Sequence, residues 1–371
     1  MTARLHVLVL SLVPLSVFAD RFDDWDQNKD GKLQKSELPA NARRNFERAD
    51  TNKDGVISRE EDAAFLKENR IRGRGRGRDR GGEEQANFRE IKNLDYVGEG
   101  NPRQSLDLFL PHAETEAARP RPLLVFIHGG GWRGGSKDGG FRRLLPFLEA
   151  GGYAGASINY RLTREARWPA QIHDCKAAIR WLKAHAKEFG YQSNKVAVWG
   201  TSAGGHLVAM LGVAGDVPAL EGKLGEHLAQ NSKVTCVVNY FGPSNLLTMD
   251  DFPTTIEHSA ADSPEGKLVG GALADRVKVA KEASPVTHVS ESDAPILLAH
   301  GTDDKLVPHN QSADLAARLK AAGVPTVFIT MDEAGHGFGS KVLQQRVRDF
   351  LAKYLDGKEG EISSETIPKG K

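Results

Sequence analysis

A chain of 371 residues exceeds one ordinary domain, and with 39% apolar residues it has the material for a large buried core. Its formal net charge of +1 excludes a global attraction to nucleic acid or to an anionic membrane. The two cysteines, Cys175 and Cys236, have no metal-ligand spacing and no nearby base, so they read as buried free thiols rather than as a disulfide, a metal site or a nucleophile. The chain opens with the pattern of a secretory signal over residues 1–19. Arg4 supplies a positive start, Leu5 to Val17 an apolar run, and Val17-Phe18-Ala19 small residues where a signal peptidase reads, which predicts cleavage after Ala19. The run is short for a membrane span; a retained anchor is the alternative. Export predicts a secreted or periplasmic protein.

Residues 20–70 contain a segment repeated at an offset of 24 residues, Asp26 to Asp50. Side-chain oxygens recur at loop positions one, three and five: Asp26, Asn28 and Asp30, then Asp50, Asn52 and Asp54. A glycine follows in each, then a backbone-carbonyl position at Lys32 and Val56, and a closing carboxylate at Glu37 and Glu61. This is the donor order of two EF-hand calcium loops, which Leu33 and Ile57 can pair through a short β-bridge. The offset is short and Pro39 stops the first exiting helix early, so the pair resembles compact, dockerin-like or bacterial extracellular hands. Calcium is expected there as a structural ion, with none needed for catalysis. Residues 71–87 include alternating glycine and arginine from Arg72 to Arg80, a composition that cannot bury a core and predicts a flexible linker.

Residues 88–357 alternate strand-like and helix-like patterns. Asn93–Val97 and Ser105–Leu110 read as initial antiparallel strands. Further strands are expected at 123–127, 153–158, 195–199, 234–240, 296–300 and 324–331, separated by amphipathic helices. That alternation predicts a mostly parallel sheet covered on both faces, with active residues at the C-terminal strand ends. Four of those ends carry chemistry. The run ending at Ile127 leads into His128-Gly129-Gly130-Gly131-Trp132, where glycines let backbone N–H groups turn to one point. The run ending at Trp199 leads into Gly200-Thr201-Ser202-Ala203-Gly204 and then a helix, the context of a nucleophile elbow. The run ending at Ala299 leads into His300-Gly301-Thr302-Asp303-Asp304, and the next strand into Gly335-His336-Gly337-Phe338. The expected catalytic residues are therefore Ser202, Asp304 (in preference to Asp303) and His336. Gly130, Gly131 and Ala203 are the expected oxyanion donors, and Trp132 and Phe338 the pocket walls. His128, Tyr160, Arg161 and Asp174 read as bracing residues. The aperiodic stretch from Pro243 to Pro285 is expected to shape the substrate site, and residues 358–371 to form a disordered tail.

The order Ser202, Asp304, His336 and the segment from about Asn93 to Tyr354 resemble the α/β-hydrolase superfamily. The matching residues are His128–Trp132, Asn159–Leu162, Trp168–Gln171, Gly200–His206, His300–Pro308 and Gly335–Phe338. Within the superfamily they are similar to the His-Gly-Gly-Gly-Trp esterase/lipase branch that includes feruloyl and acetyl-xylan esterase-like proteins. The resemblance implies an α/β fold with a small helical EF-hand domain. It implies hydrolysis of carboxylic esters, short-acyl or carbohydrate-linked, through an acyl-enzyme. An amidase or peptidase using the same triad and a calcium-dependent binding or scaffold protein are the rival readings. The partner is an ester substrate, with no nucleic acid expected.

Overall fold

The computed structural model describes residues 88–112 and 120–370, and toward the N-terminus residues 22, 25, 26, 28–38, 43, 46–62, 64 and 65. The expected signal and Gly/Arg-rich segment lie outside the described residues. The chain divides into two compact units between Ala86 and Asn87.

In the smaller unit, β1 (Lys32–Leu33), the short helix α1 (Phe46–Ala49) and β2 (Ile57–Ser58) surround a small apolar core. β1 and β2 pair antiparallel with Leu33 opposite Ile57, and both side chains are buried with Phe22, Phe46 and Phe65. The repeat therefore folds as two loops joined back to back, because each contributes one apolar residue to a shared bridge.

The larger unit runs β3 (Phe88–Asp95), β4 (Ser105–Pro111), β5 (Arg121–Ile127), α2 (Gly140–Gly151), β6 (Ala154–Ile158), α3 (Ala170–Ala184) and α4 (Ala186–Phe189). It continues through β7 (Tyr191–Thr201), α5 (Ala203–Val213), β8 (Cys236–Tyr240), α6 (Pro264–Val269) and α7 (Val277–Glu282). It ends with β9 (Ile296–Gly301), α8 (Asn310–Ala321), β10 (Thr326–Met331) and α9 (Lys341–Asp356). The strands form one sheet in the order β10-β9-β8-β7-β5-β6-β4-β3. The β3–β4 and β4–β6 pairs are antiparallel, and every other pair is parallel.

Side chains alternate across a strand, so an unbroken apolar run serves two cores. Leu123, Val125 and Ile127 of β5 join the core beneath α3, α5 and α8, whereas Leu124 and Phe126 join the one beneath α2 and α9. β7 divides the same way, Val196 and Val198 against Ala197 and Trp199. α5 is buried along its whole length, as expected of a helix that is apolar all round. Cys175 and Cys236 are free and buried. No helix among the described residues is long and apolar enough to cross a membrane.

Two expectations are corrected. The first strand starts at Phe88 rather than Asn93, and Asn93 (φ +57°) sits at a register shift between Ile91 and Leu94. The extra residue breaks the two-residue period that would have marked the strand. Residues 358–370 pack onto the larger unit instead of trailing as a disordered tail. Ile367 is buried, bridges to Met331, and joins Ile362 against the α9 core, so two apolar residues anchor an otherwise polar segment. The aperiodic stretch between Pro243 and Pro285, expected to shape the substrate site, folds into α6, α7 and tight turns, each of six residues or fewer. Elements that short show no helical period.

Candidate active site

Ser202 stands between β7 and α5 with φ 55° and ψ −125°, a backbone state that costs about 1–3 kcal/mol and persists only when its surroundings enforce it. The enforcement is visible. Its N–H donates to the Tyr240 carbonyl of β8 at 2.9 Å, and its carbonyl accepts from the His206 N–H at 2.9 Å. The flanking glycines let the turn close, since a Cβ on Gly200 would overlap the Gly204 carbonyl and one on Gly204 the Ile127 carbonyl. The hydroxyl thus stands at the first turn of a helix, where unsatisfied N–H groups favour negative charge.

His336 lies in the loop after β10. Its Nε2 is 3.0 Å from Ser202 Oγ and its Nδ1 is 2.7 Å from Asp304 Oδ2. Asp304, in the loop after β9, is buried. Burial opposes its charge, but contacts from the His300 and His336 rings and the Val307 N–H outweigh that penalty and hold its carboxyl well below the usual carboxylate range. An ionised Asp304 makes Nδ1 the protonated nitrogen of His336 and leaves Nε2 to accept from the serine hydroxyl. Asp303, the alternative, is exposed and makes its backbone bond to Ala334. His300 is fixed by Ser312 Oγ at 2.7 Å and the Val307 carbonyl at 2.9 Å, and braces Asp304 from behind.

The glycine loop after β5 lies alongside. Gly130 has φ +116°, and Gly130, Gly131 and Ala203 all line the same cavity as Ser202. None of their three N–H groups is taken up by a turn or loop hydrogen bond among the described residues. His128 supports the loop from below. Its ring stacks on Tyr160, 4.4 Å between centroids, and Tyr160 Oη donates to the His128 carbonyl. Burial pushes the His128 ring down to about 4, which keeps it neutral. Arg161 and the buried Asp174 form a forked pair, and the carboxylate also accepts from the Arg161 N–H and the Gln104 amide.

Trp132 borders the cavity but is itself 1% exposed. Its indole N–H donates to His206 Nδ1 at 3.2 Å, and His206 Nε2 donates to the Ala283 carbonyl at 2.6 Å. One neutral ring, pushed down to about 4 by burial, thereby ties the glycine loop, α5 and the segment after α7 together. His206 is four residues past Ser202 on α5 and ends the Gly200–His206 stretch that carries the resemblance, but no sequence feature pointed to a bracing role for it. Phe338 packs on Tyr240 and Phe241, and Phe241 lies 4.6 Å from the His336 ring. The cavity, of about 900 Å³, adds Ile256, His258 and Glu265 from the Pro243–Pro285 stretch, the one expected to shape the substrate site.

In the smaller unit the loops have the expected backbone. Gly31 and Gly55 have φ +77° and +88°, and Asp26 and Asp50 accept from the N–H groups of Gly31 and Gly55 at 2.8 and 3.0 Å. Glu61 accepts from the Ser58 and Asn52 N–H groups and is pulled down to about 2, the Ser58 bond being the largest cause. Asn28 and Asn52 bond to Asp30 and Asp54, and Glu37 accepts from Asn28 and Gln34. Lys32 and Val56 donate their N–H groups to Asp30 and Asp54. The donor types fit a calcium loop. Among the described residues, however, no three acidic, histidine or cysteine side chains are gathered into a metal cage.

A mixed sheet in this strand order, with a serine, a histidine and an aspartate brought together beyond β7, β10 and β9, defines an α/β hydrolase. Residues 106–319 match the BD-FAE family model, feruloyl and acetyl-xylan esterase-like, and residues 18–39 and 44–61 match that of the EF hand. The chain belongs to the BD-FAE family of α/β-hydrolase esterases. It is 33% identical over 239 residues to Esterase LipC of Mycobacterium tuberculosis, covering 64% of this chain and 58% of that protein. It spans 49% of LipM and 65% of LipQ from the same organism. Among solved structures, a truncated carbohydrate esterase from gut microbiota aligns with a TM-score of 0.66 and 30% identity, over 73% of this chain and 98% of that one. Butyrate-bound esterase Est2 of Thermogutta terrifontis aligns at 0.58 and 25%, over 74% and 98%.

Proposed function

We propose that this protein is an exported serine esterase that cleaves short-acyl or carbohydrate-linked carboxylic esters through an acyl-enzyme. The observation that carries the reading is the His336 ring, 3.0 Å from Ser202 Oγ on one side and 2.7 Å from Asp304 on the other. His336 Nε2 takes the hydroxyl proton as Oγ attacks the ester carbonyl. Asp304 holds the ring and stabilises the imidazolium. The N–H groups of Gly130, Gly131 and Ala203 receive the oxyanion, each such donor being worth roughly 3–4 kcal/mol of barrier. The imidazolium returns its proton to the departing alkoxide. His336 then takes a proton from water as the water attacks the acyl carbon, and the acid leaves with Ser202 restored.

Short acyl groups and a carbohydrate alcohol are supported by the relatives' descriptions, a carbohydrate esterase and a butyrate-bound esterase. A peptidase reading has one relative in its favour, the dipeptidyl aminopeptidase BIII of Pseudoxanthomonas mexicana, 26% identical. Its free amine would need an unpaired acid in the wall. The one acidic residue lining this cavity among the described residues, Glu265, is already within 2.8 Å of His258. Comparing kcat/KM on p-nitrophenyl acetate, butyrate and longer esters with the matching anilides tests the reading. Esters are expected to lead, with the short chains first; faster anilide cleavage would contradict it.

Calcium is the ion whose hard-oxygen chemistry suits the loops. Asp26, Asn28, Asp30 and Glu37 would hold one ion with the Lys32 carbonyl. Asp50, Asn52, Asp54 and Glu61 would hold a second with the Val56 carbonyl. The ion would stiffen the smaller unit and take no part in acyl transfer.

A further inference from the structure

The lining of the cavity around Ser202 is predominantly cationic. Arg133, Arg142 and Arg143 line it and are exposed, and no ion pair or side-chain hydrogen bond ties their guanidinium groups to another described residue. Among the described residues one carboxylate lines the same wall, Glu265, which is 3% exposed and lies 2.8 Å from His258, so one buried acid stands against three exposed arginines. The positive character continues outward. A neighbouring depression shares Gly130 and Arg133 with the cavity and adds Arg164 and Lys267. A third shares Arg164 and Lys267 and adds Arg167. Among the described residues no aspartate or glutamate lines either depression. The three are contiguous, because each shares cationic residues with the next. The path passes over the glycine loop, where Gly131 lies against Pro264, the neighbour of Glu265.

A near-neutral chain has thus placed six cations along one track that ends at the serine. Same-sign lining of a cleft focuses the field and concentrates a ligand of opposite charge. Arginine also suits carboxylates through its planar fork of donors. A track of linked depressions fits a chain with recurring negative groups better than a single small anion.

We infer that the preferred substrate is an ester carried on a carboxylate-bearing polysaccharide, with the sugar chain lying along Arg133, Arg164, Lys267 and Arg167 while its acyl group reaches Ser202. The inference rests on the esterase reading and narrows its alcohol side. The test uses one backbone in two charge states: O-acetylated polygalacturonate, with its carboxylates free or methyl-esterified, read by acetate release from the full chain. At low ionic strength kcat/KM is expected to be about tenfold or more higher on the free-carboxylate form. The advantage should collapse at 1 M salt, where the screening length falls to about 3 Å. Lys267→Glu and Arg167→Glu should lower that ratio severalfold, whereas Lys320→Glu on α8, outside the track, should not. Equal kcat/KM on the two forms, or a ratio indifferent to salt in the wild type, overturns the inference whether or not the variants fold. If the wild type fails to cleave p-nitrophenyl acetate, it is the esterase reading beneath it that falls.

Discussion

Asp304 shows how a single buried carboxylate can be kept charged. It gives up hydration but gains the Leu306 and Val307 N–H groups at 2.9 and 3.0 Å and the His336 ring at 2.7 Å. Asp304→Asn removes the charge and can reverse the preferred tautomer of His336, leaving Nε2 protonated and unable to accept from serine. A fall in kcat of about 10⁴-fold is expected with the fold retained; a fall under tenfold would mean that Asp304 does not orient the ring. The aspartate, like the serine and the histidine, was legible because it closely follows an apolar strand. His258 and Glu265 were not, because they lie where no periodic pattern gives a direction. The cationic track was hidden for a related reason. Arg133 and Arg142 are separated from Arg167 and Lys267 by strands and helices, and only the folded loops bring their positions into line.

Elements were readable where their apolar period was long. The central strands matched expectation closely, since runs such as Leu123–Ile127 feed two cores at once. β3 was misread at its bulge, and the C-terminal segment because two isoleucines among polar residues carry no period. The paired loops of the smaller unit were legible as a repeat, down to the Leu33–Ile57 bridge. Sequence could give their donor types but not the placement of the carboxylates. Titrating the chelator-treated full chain with calcium is expected to give saturable heat in the range of about 10⁻⁴–10⁻³ M. Asp26→Ala with Asp50→Ala should abolish it. No heat from the wild type at several millimolar would contradict calcium binding.

At the scale of the whole molecule, stability and chemistry share the same buried histidines. His128 and His206 are both lowered from 6.5 to about 4, chiefly by burial. A ring that binds its proton less readily when folded loses stability in acid. Its contribution is complete above about pH 6.5 and declines as pH falls to about 4, by roughly 3 kcal/mol per ring at most. The melting temperature of the catalytic unit is therefore expected to drop steadily across that window; a flat profile from pH 7 to 4 would refute the neutral assignment of the two rings. The central claim is that Ser202 is the nucleophile, and covalent labelling reads it most directly. A fluorophosphonate probe followed by peptide mapping should mark Ser202 alone, at a rate that Ser202→Ala and His336→Ala both abolish, with p-nitrophenyl acetate turnover lost in parallel. Undiminished turnover by Ser202→Ala, or stoichiometric labelling at another residue, would contradict it.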